Sequence, residues 1–352
     1  MSIRAGFIGC GGHAYRNVYP CLKYADVDLI ATCDLVEGRA VEFARTFGAL
    51  RSYADHHEML EKEELDAVFV VTGYDEQNKP LYPPLAIDSM RAGCHVWIEK
   101  PPASSVEEVE QMMAVEAETD RFVLVGIKKA FFPTIQRMKE ITEREAFGGI
   151  SSIYLKYPQY LPDEDEKQLA TSNRMRGFLD HIVHPGSIID HICGKIAHLS
   201  YERSPNGAGV VSMKFASGAT GVLHLTCGRA GTSPLERVEV VGHGANVIVD
   251  NGVKLTYYRP GSRGPGGYGK ATNFVGDDDT APIYWEPEWS LGQLYNKQIF
   301  LLGYAFEVQE FADCVRENRK PTRGSLESAR ELMKLYEAFH HPPGQIIPIN
   351  ST

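Results

Sequence analysis

The chain opens on a short apolar run, Ile3 to Ile8, that passes directly into Gly9-Cys10-Gly11-Gly12-His13-Ala14. A strand feeding a glycine-rich turn that opens a helix is the arrangement in which GxGxxG/A holds a dinucleotide pyrophosphate. Gly9 permits the tight turn, and Gly11 lets the backbone approach the phosphates. Small Ala14, in place of the third glycine, allows close helix–strand packing. Gly12 and His13 belong to the same turn and are counted with it. The helix N-terminus adds free N–H groups and the positive end of its dipole. Asp34, 25 residues past Gly9, ends the next strand-like run, Asp28 to Thr32. A carboxylate there accepts from both ribose hydroxyls and repels a 2′-phosphate, favouring NAD over NADP. Arg39 would still tolerate a phosphate, and an N-cap role for Asp34 ahead of the Gly38 helix is compatible with the same position.

Beyond the turn, short apolar runs alternate with helical spacing. Gly38 to Phe47 carries Ala40, Phe43, Ala44 and Phe47 on one face. Leu65 to Val71 is continuously apolar, as expected of a strand buried on both faces of a parallel sheet. A helix through Arg91, a strand His95 to Ile98, a helix Val106 to Glu118 and a strand Phe122 to Gly126 follow. The rhythm predicts right-handed βαβ units and a doubly wound sheet.

After Gly126 the pattern changes. A helix over Pro133 to Arg144 leads to alternation over Ser151 to Tyr157. Hairpins come next: Val210 to Phe215 with Thr220 to Thr226, and Asn246 to Val249 with Lys254 to Tyr258 across Asp250-Asn251-Gly252. Tyr304 to Glu317 and Leu326 to Phe339 read as closing helices. The expectation is an α/β domain over 1–126 and an α+β domain over 127–352 with a large, mostly antiparallel sheet, the last helices packing back on the first domain. Residues 261–290, rich in Gly, Pro and Asp, are long enough to suggest a functional loop or an oligomer arm.

A net charge of −10 argues against nucleic acid or an anionic membrane surface as partner. The cysteines at 10, 21, 33, 94, 193, 227 and 314 are scattered, with no CxxC pair, so neither a disulfide framework nor a zinc site is expected. The N-terminus carries no signal-peptide pattern, and no apolar run nears the roughly 20 residues that span a bilayer. These features together predict a cytoplasmic protein without a metal.

Two constellations carry chemistry. Glu99-Lys100-Pro101-Pro102 follows a strand at the carboxyl edge, where doubly wound sheets bind ligands. A lysine held there by prolines can stabilise a developing alkoxide. Further on, Asp180 and His184 stand four apart on one helical face. A carboxylate so close is expected to orient the imidazole and raise its basicity, making His184 a general base. A plain Asp–His surface pair accounts for the same spacing. His181 and His191 read as structural, and His224, central in a hairpin strand, as packed.

With these pieces in place the sequence resembles the Gfo/Idh/MocA family of sugar and cyclitol dehydrogenases over almost its whole length. GFIGCGGHA with Asp34, RAGCHVWIEKPP at 91–102, VGIKKAFFP at 125–133 running on to FGGI at 147–150, LDHIVHPGSIIDHICG at 179–194 and the late YAFEVQEFADCVRENRKP carry the resemblance. It implies a Rossmann domain that binds NAD(P), an open-faced sheet domain after it, and a site between them. Lys100 is then beside the nicotinamide and the reacting hydroxyl, with Asp180 and His184 on the family's Asp and His. Lys129 falls where many members carry an Arg facing substrate, and Thr72 and Glu99 match positions near the cofactor. The chain departs from the family at Thr72-Gly73-Tyr74 and the short insertion after it, at Tyr82 where a His is common, at Ala130, and at Arg174, Met175 and Arg176 in place of glycines.

The resemblance implies an NAD(P)-dependent dehydrogenase acting on a hydroxyl of a sugar, sugar derivative or cyclitol, or reducing the ketone. Redox-neutral glycoside cleavage or elimination with retained cofactor, and a ligand-sensing binder without catalysis, are the alternatives. An exposed sheet face would invite aggregation if left bare, which predicts a homodimer or homotetramer through the second domain.

Overall fold

A computed structural model describes residues 2–168, 173–261, 279–286 and 297–350. Most of the 261–290 loop singled out above therefore lies outside the described residues. The chain forms two compact units. The first takes Met1–Phe131, Glu164–Ser187 and Asn296–His340, and the second takes Phe132–Asp163, Ile188–Tyr295 and His341–Thr352.

The first unit is built on six parallel strands: β1 (Ile3–Ile8), β2 (Val27–Cys33), β3 (Arg51–Tyr53), β4 (Ala67–Val70), β5 (His95–Glu99) and β6 (Val123–Gly126). Their order in the sheet is β3-β2-β1-β4-β5-β6, so the direction of winding reverses between β1 and β4. In open α/β sheets the ligand crevice lies beyond the carboxyl ends of the strands at that reversal. Every residue of β4, β5 and β6 is buried, which is why the runs of β4 and β6 are apolar throughout rather than alternating. Phe7 of β1 stacks on Tyr19 at 3.8 Å between ring centroids and on Phe69 of β4 at 5.7 Å. The helix Tyr304–Glu317 brings Val308, Phe311 and Cys314 into this same core.

The element after the glycine turn is not one continuous helix. A wide π turn over Ala14–Val18 gives way to a short helix, Tyr19–Leu22. Pro20 has no N–H to continue the ladder, so the first segment cannot run on into the second. The strand β3 and the helix His56–Lys62 also go beyond the sequence reading; three residues are too few to show alternation.

The second unit holds a nine-stranded sheet: β7 (Ser152–Tyr157), β8 (Ile196–Arg203), β9 (Gly209–Phe215), β10 (Thr220–Leu225), β11 (Arg237–Val241), β12 (Asn246–Asp250), β13 (Lys254–Tyr258), β14 (Ile283–Trp285) and β15 (Ile347–Pro348). Its order is β14-β13-β12-β11-β7-β10-β9-β8-β15. All neighbours are antiparallel except β7 and β10. Asn251 and Gly252 both take positive φ in the β12–β13 turn, a conformation that few other residues adopt without strain. Strand residues alternate between a buried face (Leu155, Val211, Met213, Leu223, Val238, Val240) and a face with Tyr154, Val210 and Val241 open to solvent. Among the described residues no helix is long and apolar enough to cross a membrane, and all seven cysteines are free thiols.

Candidate active site

The glycine turn is held from both sides. Gly9 sits at φ 107°, and a Cβ there would lie 2.0 Å from the Val71 carbonyl oxygen, so only glycine fits between β1 and β4. Gly11 and Gly12 are exposed, and a Cβ on either would meet nothing within 4 Å, which leaves their backbone open to approach by phosphate. Ala14 is fully buried behind them. The Asp34 carboxylate accepts from the Cys10 N–H at 2.8 Å and the Val36 N–H at 2.9 Å. It therefore braces the turn and leaves a lone pair on each oxygen for ribose hydroxyls. The N-cap of the next helix is Val36, not Asp34.

Thr72 stands just past the end of β4. Its hydroxyl oxygen is buried without a hydrogen-bond partner among the described residues, while its carbonyl accepts from the Tyr82 hydroxyl at 2.9 Å. An orphaned hydroxyl beside an open glycine turn and a braced acidic residue fits a bound dinucleotide, which would satisfy it.

Glu99 and Lys100 emerge from the carboxyl end of β5. Glu99 Oε1 lies 2.8 Å from His13 Nε2, and Glu99 Oε2 accepts from the Lys100 N–H at 2.7 Å. Glu99 thus ties the glycine turn to the lysine that follows it. The Lys100–Pro101 bond is cis. Lys100 Nζ donates to Asp180 Oδ1 at 2.7 Å and reaches the Asp180 carbonyl at 3.4 Å. The Tyr74 hydroxyl donates to the same carboxylate oxygen at 3.0 Å. Burial works against the Asp180 charge, but Lys100 and the two hydrogen bonds outweigh it and hold the carboxyl below its ordinary range.

His184 is buried two turns along from Arg176 on the helix Asn173–Cys193. Burial first, then the Lys100, Lys129, Lys128 and His181 side chains, push its pKa well below the ordinary histidine value. This corrects the expectation that Asp180 raises the basicity of His184: the carboxylate is committed to Lys100 and Tyr74, and the charges that act on the imidazole are cationic. Pro185 cannot donate to the carbonyl one turn back, and Gly186 lets Leu332 and Leu335 pack close.

All the candidate residues read from the sequence fall in the first unit: Gly9, Gly11, Gly12, His13, Ala14, Asp34, Thr72, Glu99, Lys100, Lys129, Asp180 and His184. His191 sits in the second unit beside Gln136, and His224 pairs with Tyr154 on the open sheet face, 3.4 Å away, rather than in the core. The sequence reading gave no role to Lys128, Tyr304 or Glu307, and noted Arg176 only as a departure from the family pattern. Arg176, Asp180 and His184 recur every four residues, so the spacing that singled out the last two also marks the first. Lys128 Nζ donates to the Tyr304 hydroxyl at 2.9 Å. Glu307 is fully buried with both carboxyl oxygens unpaired among the described residues, and burial, followed by the nearby Glu99, pushes its pKa well above the ordinary carboxyl value. Away from this region, Asp55, His56 and His57 bring ligand atoms within 4.8 Å of one another, with His56 bonded to Asp88.

Residues 3–127 match the family described as Oxidoreductase family, NAD-binding Rossmann fold (Gfo/Idh/MocA). The chain is 25% identical over 261 residues to a myo-inositol 2-dehydrogenase of Thermotoga maritima, an alignment covering 71% of this chain and 75% of that one. Its fold is similar to that of a dehydrogenase from Chromobacterium violaceum, with a TM-score of 0.77 at 22% identity over 96% of this chain and 94% of that chain. It is also similar to an oxidoreductase from Agrobacterium radiobacter solved with NAD+, L-tartaric acid and magnesium, with a TM-score of 0.76 at 16% identity over 99% of each chain.

Proposed function

We propose that the chain is a member of the Gfo/Idh/MocA oxidoreductase family and an NAD(P)-dependent oxidoreductase that oxidises a secondary hydroxyl of a sugar-like or cyclitol substrate, or runs the reverse reduction, with His184 as proton acceptor. The observation that carries the reading is the Lys100–Asp180 pair at 2.7 Å on the helix that also bears a buried, neutral His184.

NAD, when bound, supplies the hydride acceptor. The turn Gly9 to Ala14, with Asp34, Thr72, His13 and Glu99, would hold it. Lys100 donates a hydrogen bond to the reacting oxygen and stabilises the alkoxide as it develops. Asp180 fixes the ammonium in place, and Tyr74 fixes Asp180. His184 is kept uncharged by burial and by the cations around it, so it is ready to take the hydroxyl proton. Once protonated, it faces like charges and gives the proton up readily. Lys129 is assigned to substrate contact.

His184→Ala should lower kcat by about 10²–10⁴-fold with cofactor binding retained, and the acid limb of the kcat/KM profile should fall below the ordinary histidine value of 6.5. Turnover at saturating substrate that survives the substitution would remove His184 from the reaction. The assay is absorbance at 340 nm with NAD+ across sugars, sugar acids, lactones and inositols; bound NAD without any net NADH would point to a redox-neutral reaction.

The assembly is proposed as a homodimer or homotetramer paired through the open face of the nine-stranded sheet. Tyr154, Val210, Val241 and Tyr258 are all at least 36% exposed there, and such a face is usually covered. Light scattering at micromolar concentration should report two or four copies; a monomer would overturn the pairing.

A further inference from the structure

Arg176, Asp180 and His184 form a stripe along one face of the helix Asn173–Cys193, each step advancing the axis by about 6 Å. Asp180 and His184 belong to the site described above. Arg176 lies one turn before them and is held in a defined position. Its Nη1 donates to Asn78 Oδ1 at 2.9 Å, and its guanidinium lies over the Tyr74 ring, 5.4 Å from the centroid. The same tyrosine reaches Asp180 with its hydroxyl.

These partners are neutral. Asn78 sits at φ 62° in the turn Asp75–Lys79. In that turn Asp75 spends Oδ1 on the Gln77 and Lys79 N–H groups at 2.8 Å each. Among the described residues Arg176 makes no ion pair with a carboxylate. The arginine is half-buried, oriented by an amide and an aromatic ring, and keeps most of its five donors for another acceptor. An oriented guanidinium with no carboxylate in ion-pair contact among the described residues is suited to bidentate binding of a carboxylate.

We propose that Arg176 binds an acid group of the substrate, so that the compound oxidised here is a sugar acid rather than a neutral polyol. The reacting carbinol is held at Lys100 and His184, and the carboxylate extends toward the start of the helix. Arg176 bonds to the Asp75–Lys79 turn at Asn78 and lies over Tyr74, so the insertion after Tyr74 and the replacement of glycines at 174–176 become two halves of one device. The inference rests on the dehydrogenase reading for the position of the reacting carbon, but the anion site stands on its own contacts.

Two probe pairs test it: glucuronate against glucose, and gluconate against sorbitol. Turnover is measured with NAD+, and binding is measured by calorimetry on the NADH-loaded enzyme. The expected result is kcat/KM at least tenfold higher for the acid of a pair. In Arg176→Gln the acid-to-neutral ratio should fall by about 10–100-fold, the scale of one charged hydrogen-bonded contact, through KM rather than kcat. Arg176→Lys should keep part of the preference, and Asn78→Ala should lower the ratio by a smaller factor. If no probe yields NADH, the dehydrogenase reading fails, while acid binding that Arg176→Gln abolishes still supports the anion site. Neutral sugars bound as well as acids, or an acid preference that Arg176→Gln leaves intact, would overturn the inference while leaving the dehydrogenase reading in place. A preference for glucose 6-phosphate over glucuronate would overturn the carboxylate assignment.

Discussion

His95, the first residue of β5, is 7% exposed and packed against Phe122, with ring centroids 4.1 Å apart and the rings tilted. Its Nδ1 accepts the Phe122 N–H at 3.3 Å. Burial, reinforced by Arg121, lowers its pKa to about 4 from the ordinary 6.5. As pH falls, the unfolded chain takes up this proton first, so stability is full above 6.5 and is lost as the pH drops toward 4. At ~1.4 kcal/mol per pH unit, the window is worth ~3 kcal/mol. His95→Gln should flatten the fall in denaturant stability between pH 7 and pH 5; an unchanged slope would mean the imidazole is already free to ionise. The site's own histidine is read by the same physics. The four-residue spacing of Asp180 and His184 was legible, but it suggested the wrong partner for the carboxylate. A lysine 80 positions away in sequence outcompetes a neighbour one turn along, because an ammonium 2.7 Å away outweighs an imidazole that burial keeps neutral. Local spacing carries no information about that contest.

At the level of elements, legibility follows the length and locality of the signal. The helix Tyr304–Glu317 and the strand β1 have the bounds that their periodicity suggests, since each offers a full apolar stripe or run. The hairpin β12–β13 is legible through Asn251-Gly252, whose positive φ values are a local requirement. The parallel pairing of β7 with β10 was not, because no residue in either strand states which neighbour it takes. The break at Pro20 lay in plain view, in a residue that has no N–H to continue a helix. Arg176 was noticed only as a departure from a family pattern. Its partner Asn78 lies 98 positions away, so its role becomes visible only once the Asp75–Lys79 turn is placed beside the helix.

Across the whole molecule, the first unit is discontinuous in sequence. Its three segments end at Phe131, Ser187 and His340. The core around Phe7, Phe69 and Trp97 is completed by Tyr304, Val308, Phe311 and Ala312 from the third segment. Asp180 and His184 come from the second. A fragment of residues 1–131 would carry the whole glycine turn yet leave that apolar surface bare. It should lack a cooperative thermal transition by circular dichroism and should not retain NAD; a sharp melt from the fragment would show that the later helices only decorate a self-sufficient core. The same discontinuity fixes an order of events during synthesis. The ribosome releases the nucleotide turn early, but the layer that closes over it emerges only after the entire nine-stranded sheet except β15 has been made. The first unit must therefore wait, half-finished and sticky, for most of the translation time, and this makes it the part of the chain most dependent on holding factors in the cell.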